Sequence, residues 1–330
     1  MLREEREWRP TASLNLLRLR AMLLARIREY FENAGVLEVE TPVLSAAGTT
    51  DPAIQSFSTT YHGPGPCHGA SLYLHTSPEF PMKRLLAAGA GSIYQICKVF
   101  RDGESGRCHN PEYTLLEWYR AGFDHVALMV EVESLLREVL RDLLPLAPAR
   151  HWTYRELFMN YSGIDPFATS VNEIRQALEA KGSSTPPGLA EDEIDGWLDL
   201  LLTHVVEPEL DAGMIFVSEY PASQAALARL LPGEPPVAAR FEVYLDGVEL
   251  ANGYHELTDA AEQRRRFERD NTRRGARHLA AIEPDWRLLA AMRSGLPDCA
   301  GVALGIDRLL MITAGLSHID EVVVFPLERA

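Results

Sequence analysis

The segment FEVYLDGVELANGYHEL, residues 241–257, carries Glu242, Glu249 and Glu256 in a spacing that could hold a cation. Asp246-Gly247 is a two-residue turn signal, so Leu245 is expected to oppose Val248, Tyr244 to oppose Glu249, and Glu242 to oppose Ala251. In that register Glu242 and Glu249 share one face as diagonal neighbours, with backbones about 7–8 Å apart and long side chains able to converge. Two carboxylates converging on a partly buried face need a cation between them. The plain alternative is a solvated edge with two harmless glutamates. Glu256 adds a third carboxylate to the neighbourhood.

Two other stretches could bind a nucleotide. Arg101, Arg107, His109 and Asn110 surround the loop 102–112, and Tyr113 stands at its exit. Hairpin loops usually run about two to five residues, so the longer one is a hint of function. Guanidinium groups can pair with phosphate oxygens while the ring stacks on a base, although any exposed hairpin can carry arginines. In GVALGIDR, residues 301–308, small side chains keep a strand low enough for close approach of a ligand, with Arg308 just inside the next helix. Tight strand-to-helix packing would explain the same pattern. The chain has no G-x-x-x-x-G-K-[ST] loop, no G-x-G-x-x-G between strand and helix, no G-x-S-x-G and no H-E-x-x-H. Phosphate binding must therefore use side chains.

Helices and strands must hold these groups in place. Leu16, Leu19, Leu23, Ile27, Tyr30, Phe31 and Ala34 follow helical spacing, with Gly35 placed to end the helix. VLEVETPVLS reads as a strand ending at Pro42, and 45–71 as loop. A short strand runs into Ser77-Pro78-Glu79 ahead of a helix near 80–88. Residues 92–101 and 113–119 read as strands, 124–144 and 171–181 as helices, 182–188 as loop, and the acidic run 191–193 as a helix start. Strand character returns over 237–258, a helix follows over 259–275, and 299–313 is a strand feeding a final helix. The expectation is one domain over 1–330 with a helical insertion at about 125–235.

Composition narrows the class. The chain has 330 residues, 46% hydrophobic and 24% charged, which excludes disordered, collagenous and small disulfide-stapled proteins. Its net charge of −15 disfavours a large basic groove for RNA. No apolar run is long enough for a membrane span and the N-terminus lacks a signal-peptide core, so a cytoplasmic location without membrane contact is expected. The four cysteines show no C-x-x-C pair, and His62, Cys67, His68 and His75 fit none of the usual zinc spacings. Seven arginines within 263–278 could dock an acidic protein or simply line a solvated helix face.

Taken in order, the elements resemble the three signature motifs of class II aminoacyl-tRNA synthetases. VLEVETP with its preceding helix resembles motif 1, Phe100-Arg101 through Tyr119 resembles motif 2, and Gly305-Ile306-Asp307-Arg308 resembles motif 3. The likeness covers about residue 13 to the end. It is nearest to the lysine-specific synthetases, and nearer still to their truncated paralogues that join lysine or (R)-β-lysine to elongation factor P. With motif 1 ending at Pro42 there is no room for the usual OB-fold anticodon domain, which needs on the order of 100 residues. No anticodon domain is expected, and no tRNA partner.

The resemblance implies an α+β fold, the class II synthetase catalytic domain, with a mainly antiparallel sheet flanked by helices. It implies ATP and Mg2+ as cofactors, with Glu242 and Glu249 as the magnesium pair. Arg101, Glu249 and Arg308 would be catalytic. Arg101, Asp102, Gly103, His109, Asn110, Tyr113, Glu249, Leu250, Gly305 and Arg308 would bind ATP, Tyr113 by stacking on adenine. Ser77, Pro78, Glu79, Tyr119, Glu256 and Ala303 would bind lysine or β-lysine, with Glu79, Tyr119 and Glu256 around the side-chain ammonium. Ser77 and Ala303 replace Ala and Gly of lysyl-tRNA synthetases and crowd the α-amino site, a shift toward β-lysine. A homodimer is implied through motif 1.

Motif 2 normally reads Arg-x-Glu, but here Arg101 is followed by Asp102, Gly103 and Glu104, so the acidic group expected at 103 is displaced or lost. Cys108 replaces a usual aromatic. The implied chemistry is adenylate formation followed by transfer to the ε-amine of a lysine on elongation factor P. The alternatives are tRNA charging, a non-catalytic paralogue acting as a binding module, and an amide-forming synthetase of the same fold. The paired carboxylates Glu79 and Glu256 argue against the acidic substrate that the last would need.

Overall fold

The computed structural model describes residues 8–183, 189 and 193–330. The first helix, α1 (Leu14–Asn33), starts where Ser13 Oγ accepts the Leu16 N–H at 3.3 Å, and Gly35 at φ 66° turns the chain out of it. Leu23, Ile27 and Phe31 form its buried stripe, as the spacing predicts.

The strand expected up to Pro42 is regular only at β1 (Leu37–Glu38), and Leu37 is exposed. It is an edge strand, and Pro42 has no N–H to extend the ladder. The stretch expected as loop holds part of a small sheet made of β2 (Leu44–Ser45), β3 (Ser58–Thr60) and β4 (Ser71–Leu74). Then come α2 (Glu79–Ala87), β5 (Ile93–Phe100), β6 (Glu112–Ala121), α3 (His125–Leu140), β7 (Arg150–Thr153), α4 (Tyr154–Ser162), α5 (Val171–Ala180) and α6 (Ile194–Leu201). The chain continues through β8 (Met214–Pro221), β9 (Leu230–Leu231), β10 (Val237–Leu245), β11 (Val248–His255), α7 (Ala260–Ala276), α8 (Trp286–Gly295), β12 (Cys299–Gly305) and α9 (Ile306–Thr313).

Among the described residues the main sheet runs β1-β5-β6-β12-β11-β10-β8-β7, with β9 beside β10. Only the β1–β5 and β7–β8 pairs are parallel, so the sheet is mainly antiparallel and flanked by helices, as expected. The stretch 125–235, expected to be a helical insertion, does hold α3 to α6, but it also supplies β7 and β8 to the main sheet. Met214-Ile215-Phe216-Val217 is buried on both faces, and a continuous apolar run has no period to mark it as a strand.

Alternation along the strands sends successive side chains to opposite faces. Trp118 of β6, Phe216 of β8, Val243 of β10 and Val302 of β12 pack with α1, α3 and α9 in one core. On the other face, Ile215, Val217 and Tyr244 join α4, α5 and α6, while Ile93, Tyr119 and Cys299 join α2, α7 and α8. The middle strands of this second face are left for a cavity between the two cores.

The arginine-rich helix α7 is tied to the rest of the fold. Arg266 donates to the carbonyls of Ala226 and Ala228 at 2.8 and 2.6 Å, and Arg274 to those of Ala280 and Asp51 at 2.8 and 3.2 Å. Arg264, Arg265 and Arg269 pair with Glu268 and Glu262, Arg273 with Asp195, and Arg277 with Glu193. Glu191 and Asp192 of the expected acidic helix start, and residues 184–188 of the loop before it, lie outside the described residues; Glu193 directly precedes α6.

Candidate active site

A cavity of about 920 Å3 opens over β6, β10, β11 and β12. Every site residue expected from the sequence lines it except Pro78, Asp102, Gly103 and Glu242. Pro78 caps α2, and the Asp102 N–H donates to the Gln55 carbonyl at 2.9 Å. Gly103 has φ 81°, a conformation that favours glycine. This turn carries Glu104 into the cavity, where its Oε1 lies 3.4 Å from Arg101 Nη1. A carboxylate therefore stands beside Arg101, one position later than the Arg-x-Glu spacing would place it.

One end of the cavity is cationic. The Arg101 guanidinium lies 5.4 Å from the centre of the Tyr113 ring and otherwise makes only long contacts, at 3.4 Å, to the Thr76 carbonyl and Glu104. Arg308 joins three segments: Nη1 donates to the Glu249 carbonyl at 2.7 Å and to Glu249 Oε2 at 3.0 Å, and Nε donates to the Cys108 carbonyl at 3.2 Å. Its Nη2 lies 2.7 Å from His109 Nε2. Burial and the charge of Arg308 lower the His109 pKa, and because a guanidinium only donates, Nε2 is the accepting nitrogen of this contact. Asn110 is buried; it donates to the Glu112 carbonyl at 2.6 Å and accepts the Leu327 N–H at 3.3 Å, which fixes the loop against the C-terminal turn. Behind the site, Asp307 accepts from Arg20 and from the Thr114 N–H, both at 2.6 Å, tying α1 and β6 to the start of α9.

The other end is anionic. Glu117, Glu256 and Glu79 converge there with Tyr119, and Ala303 stands opposite Glu117 in the β12–β6 register. Ser77 Oγ and Tyr119 OH each donate to Glu117 at 2.7 Å. Burial raises the Glu117 pKa, with the Glu79 charge acting the same way. Burial also raises that of Glu256, against the opposing pull of Lys83. The Lys83 ammonium, on the α2 face of the pocket, pairs with Glu79 and lies 2.6 Å from Glu256 Oε2. A Cβ at Gly301 would come within 2.3 Å of the Tyr119 ring and 2.6 Å of Glu256 Oε1, so the pocket floor requires glycine there.

The hairpin departs from the expected register. Leu245 opposes Val248 and Tyr244 opposes Glu249, but Val243 opposes Ala251 and Glu242 opposes Asn252. A bulge at Leu250 inserts one residue into β11. Leu250 and Ala251 both join the helix-side core, and Glu249 and Asn252 fall on the face of Glu242 although they are three residues apart. Glu242 is buried, with Arg240 Nη2 at 2.5 Å, Tyr244 OH at 2.8 Å and Asn252 Nδ2 at 3.5 Å.

Four participants escaped the sequence reading. Glu117 is two residues from Tyr119 on one strand, a spacing that puts both on the same face. Lys83 is four residues after Glu79 on one helix, a pairing visible in principle. Arg240 is likewise two residues from Glu242 on one strand, whereas Glu207 had no such signal. Glu207 accepts from Tyr244 OH at 3.3 Å, and burial together with the charges of Glu249 and Glu242 pushes it up to about 7. Among the described residues no three His, Cys, Asp or Glu side chains form a metal site by themselves, and the four-residue set His62, Cys67, His68 and His75 is no exception.

This geometry can hold a molecule with anionic groups at one end and ammonium groups at the other. The tRNA synthetase class II (D, K and N) family matches residues 6–329. The chain is 51% identical over 327 residues to the elongation factor P (R)-β-lysine ligase of Vibrio cholerae serotype O1, covering 98% of this chain and 99% of that protein. It is 49% identical to the protein of the same name from Vibrio vulnificus over 325 residues, covering 98% and 99%. With the Salmonella gallinarum protein the identity is 47% over 328 residues, covering 99% of each. The fold, the converging motif residues and these matches together show that the chain belongs to the class II (D, K and N) tRNA synthetase family.

Proposed function

We propose that this chain uses ATP to activate (R)-β-lysine or lysine and passes the acyl group to the ε-amine of a lysine on elongation factor P. The observation that carries the reading is the single cavity with Arg101 and Arg308 at one end and Glu79, Glu117 and Glu256 at the other. A diamino acid has the matching distribution: a carboxylate to react at the cationic end and ammonium groups for the carboxylates. The names of the relatives give the acceptor protein.

In the first step a carboxylate oxygen attacks the α-phosphorus of ATP. The new P–O bond gives the aminoacyl-adenylate as the bond to the β-phosphate oxygen breaks and pyrophosphate leaves. Arg101 and Arg308 stabilise the charge on phosphate oxygens, and Tyr113 offers its ring to the base. No side-chain nucleophile is used, so the protein's work is positioning and electrostatics. In the second step the acceptor amine attacks the acyl carbon, an amide forms, AMP leaves and the amine proton is released.

Glu242 and Glu249 suit Mg2+, which takes oxygen ligands and binds through one or two carboxylates together with phosphate. Bound there, Mg2+ would offset charge on the phosphates. Arg240 and Tyr244 already hold the two Glu242 oxygens and Arg308 one Glu249 oxygen, so phosphate and water would supply most of its ligand set.

Ser77 and Ala303 fill space at the pocket wall and favour β-lysine over lysine. A homodimer fits the exposed Leu37 of motif 1 and the exposed Val43 and Leu44 just after it. Among the described residues no helix is long and apolar enough to cross a membrane, and a cytoplasmic location follows from the proposed acceptor. The net charge of −15 supports a protein acceptor over tRNA.

Mass spectrometry of elongation factor P incubated with the chain, ATP and each amino acid tests the whole scheme. A mass gain of one lysyl or β-lysyl group on a lysine supports it. Lysyl-tRNA as the product, or no adenylate with any diamino acid, overturns it.

A further inference from the structure

Lys83 is 2% exposed, and its ammonium is a cation the fold itself brings to the anionic end of the cavity. An isolated ammonium or carboxylate at that depth would be costly, so Lys83 and its partners depend on one another. Glu256 Oε2 lies 2.6 Å from Lys83 Nζ, an ion pair enclosed within the protein. Glu117, by contrast, is held by the neutral hydroxyls of Ser77 and Tyr119. The formal count is three carboxylates, Glu79, Glu117 and Glu256, against one resident ammonium. The excess is two negative charges, equal to the two ammonium groups of a diamino acid. A substrate with one ammonium would leave a buried carboxylate unpaired.

Resting on the diamino-acid reading above, we propose that Lys83 is a positioning residue that sets the charge of the amino-acid pocket. Its fixed ammonium cancels one of three carboxylates, and it holds Glu79 and Glu256 in place so that two substrate ammonium groups complete the neutralisation. The groups facing Glu256 are Lys83 and Glu79 from α2, Glu117 and Tyr119 from β6, Tyr254 near the end of β11 and Cys299 of β12, with Arg229 on its carbonyl. Lys83 is the cation nearest its carboxylate in this set, so its removal should be felt directly in the titration of the pocket.

The test compares Lys83→Met, Lys83→Arg and the double variant Lys83→Met/Glu79→Gln with the natural chain. Pyrophosphate exchange with (R)-β-lysine is followed across neutral pH. Lys83→Met should raise KM about tenfold or more, lower kcat at saturation by less than about threefold, and move the acid limb of kcat/KM up by about one pH unit, because losing a nearby cation raises a carboxylate pKa. Lys83→Arg should keep the natural limb. The double variant again has two carboxylates in excess and should return the limb to its natural position. Its pocket carries the same net charge as the natural one, one unit less negative than that of Lys83→Met, so it reports even if Lys83→Met does not fold. A folded Lys83→Met with natural KM and pH profile overturns the proposal, as does a double variant whose limb is displaced. If the natural chain exchanges with no diamino acid, the substrate reading fails first and takes this role with it.

Discussion

Ser77 Oγ donates to Glu117 Oε2 at 2.7 Å, joining the approach to α2 with the middle of the β6 strand across the substrate pocket. The same hydroxyl accepts the Glu79 N–H at 3.0 Å, so one small side chain orients two of the pocket's acidic residues. Ser77→Ala should cost about 1–2 kcal/mol in amino-acid affinity, roughly a 5- to 30-fold rise in KM, with kcat nearly unchanged. Steady-state pyrophosphate exchange reads both quantities, and an unchanged KM would remove Ser77 from the pocket's working parts. Ala303→Gly, which opens space opposite Glu117, should shift the ratio of kcat/KM values from β-lysine toward lysine.

Arg101 is poised for a ligand because its own contacts are long. Arg101→Ala should therefore lower adenylate formation about 100- to 1000-fold while leaving the fold intact. Single-turnover AMP formation measures the first effect and thermal melting the second. Activity within a few-fold of the natural chain would contradict the assigned role.

Glu249 pairs with Arg308 through only one of its oxygens. Glu249→Gln should raise the Mg2+ concentration for half-maximal exchange by about tenfold or more, in keeping with the sensitivity of metal sites to their ligand shell. A Mg2+ titration at saturating ATP checks this, and direct binding of Mn2+ with a non-hydrolysable ATP analogue, followed by electron paramagnetic resonance, checks it without turnover.

The pocket should also respond to pH. Burial pushes Glu117 up to about 7 and Glu256 up to about 8, each against partners that pull it down. On the proposed reading substrate ammonium groups bind the ionised carboxylates, so binding should be lost as pH falls through those values. The acid limb of kcat/KM should lie around neutrality and belong to both groups together. A limb near pH 4, where ordinary carboxylates titrate, would be the contrary result.

Asp307 belongs to motif 3 but works on the fold. It is buried and accepts from Arg20 and the Thr114 N–H. Asp307→Asn should cost about 3 kcal/mol of stability, because it leaves a partly buried guanidinium without its anion. Urea unfolding reads the loss as a lower midpoint at an unchanged slope.

The sequence made the catalytic framework legible because the chemistry is carried by rigid local patterns. The α1 periodicity, the strands on either side of the motif 2 loop and the last strand and helix all appear where expected. Buried polar partners were harder to see. Lys83 looks like an ordinary cation until tertiary packing brings Glu256 against it. The β8 strand was hidden because both of its faces are apolar. The arginines of α7 looked like a possible docking surface, and only folding shows Arg266 and Arg274 turned inward onto backbone carbonyls. The hairpin turn was read correctly at Asp246-Gly247, yet a bulge has no compositional mark, so the pairing beyond Leu250 could not be foreseen.

The extra residue at Leu250 has a consequence for how this hairpin can vary over evolutionary time. Because Leu250 and Ala251 together face Val243, losing that one codon would remove the bulge and leave the rest of the ladder as it is, with Ala251 still opposite Val243 and Asn252 still opposite Glu242. The same loss from a regular part of β11 would instead exchange the wet and dry sides of the strand beyond it. Among sequences that keep this chemistry, length changes in this hairpin should therefore be confined to the bulge between Glu249 and Asn252.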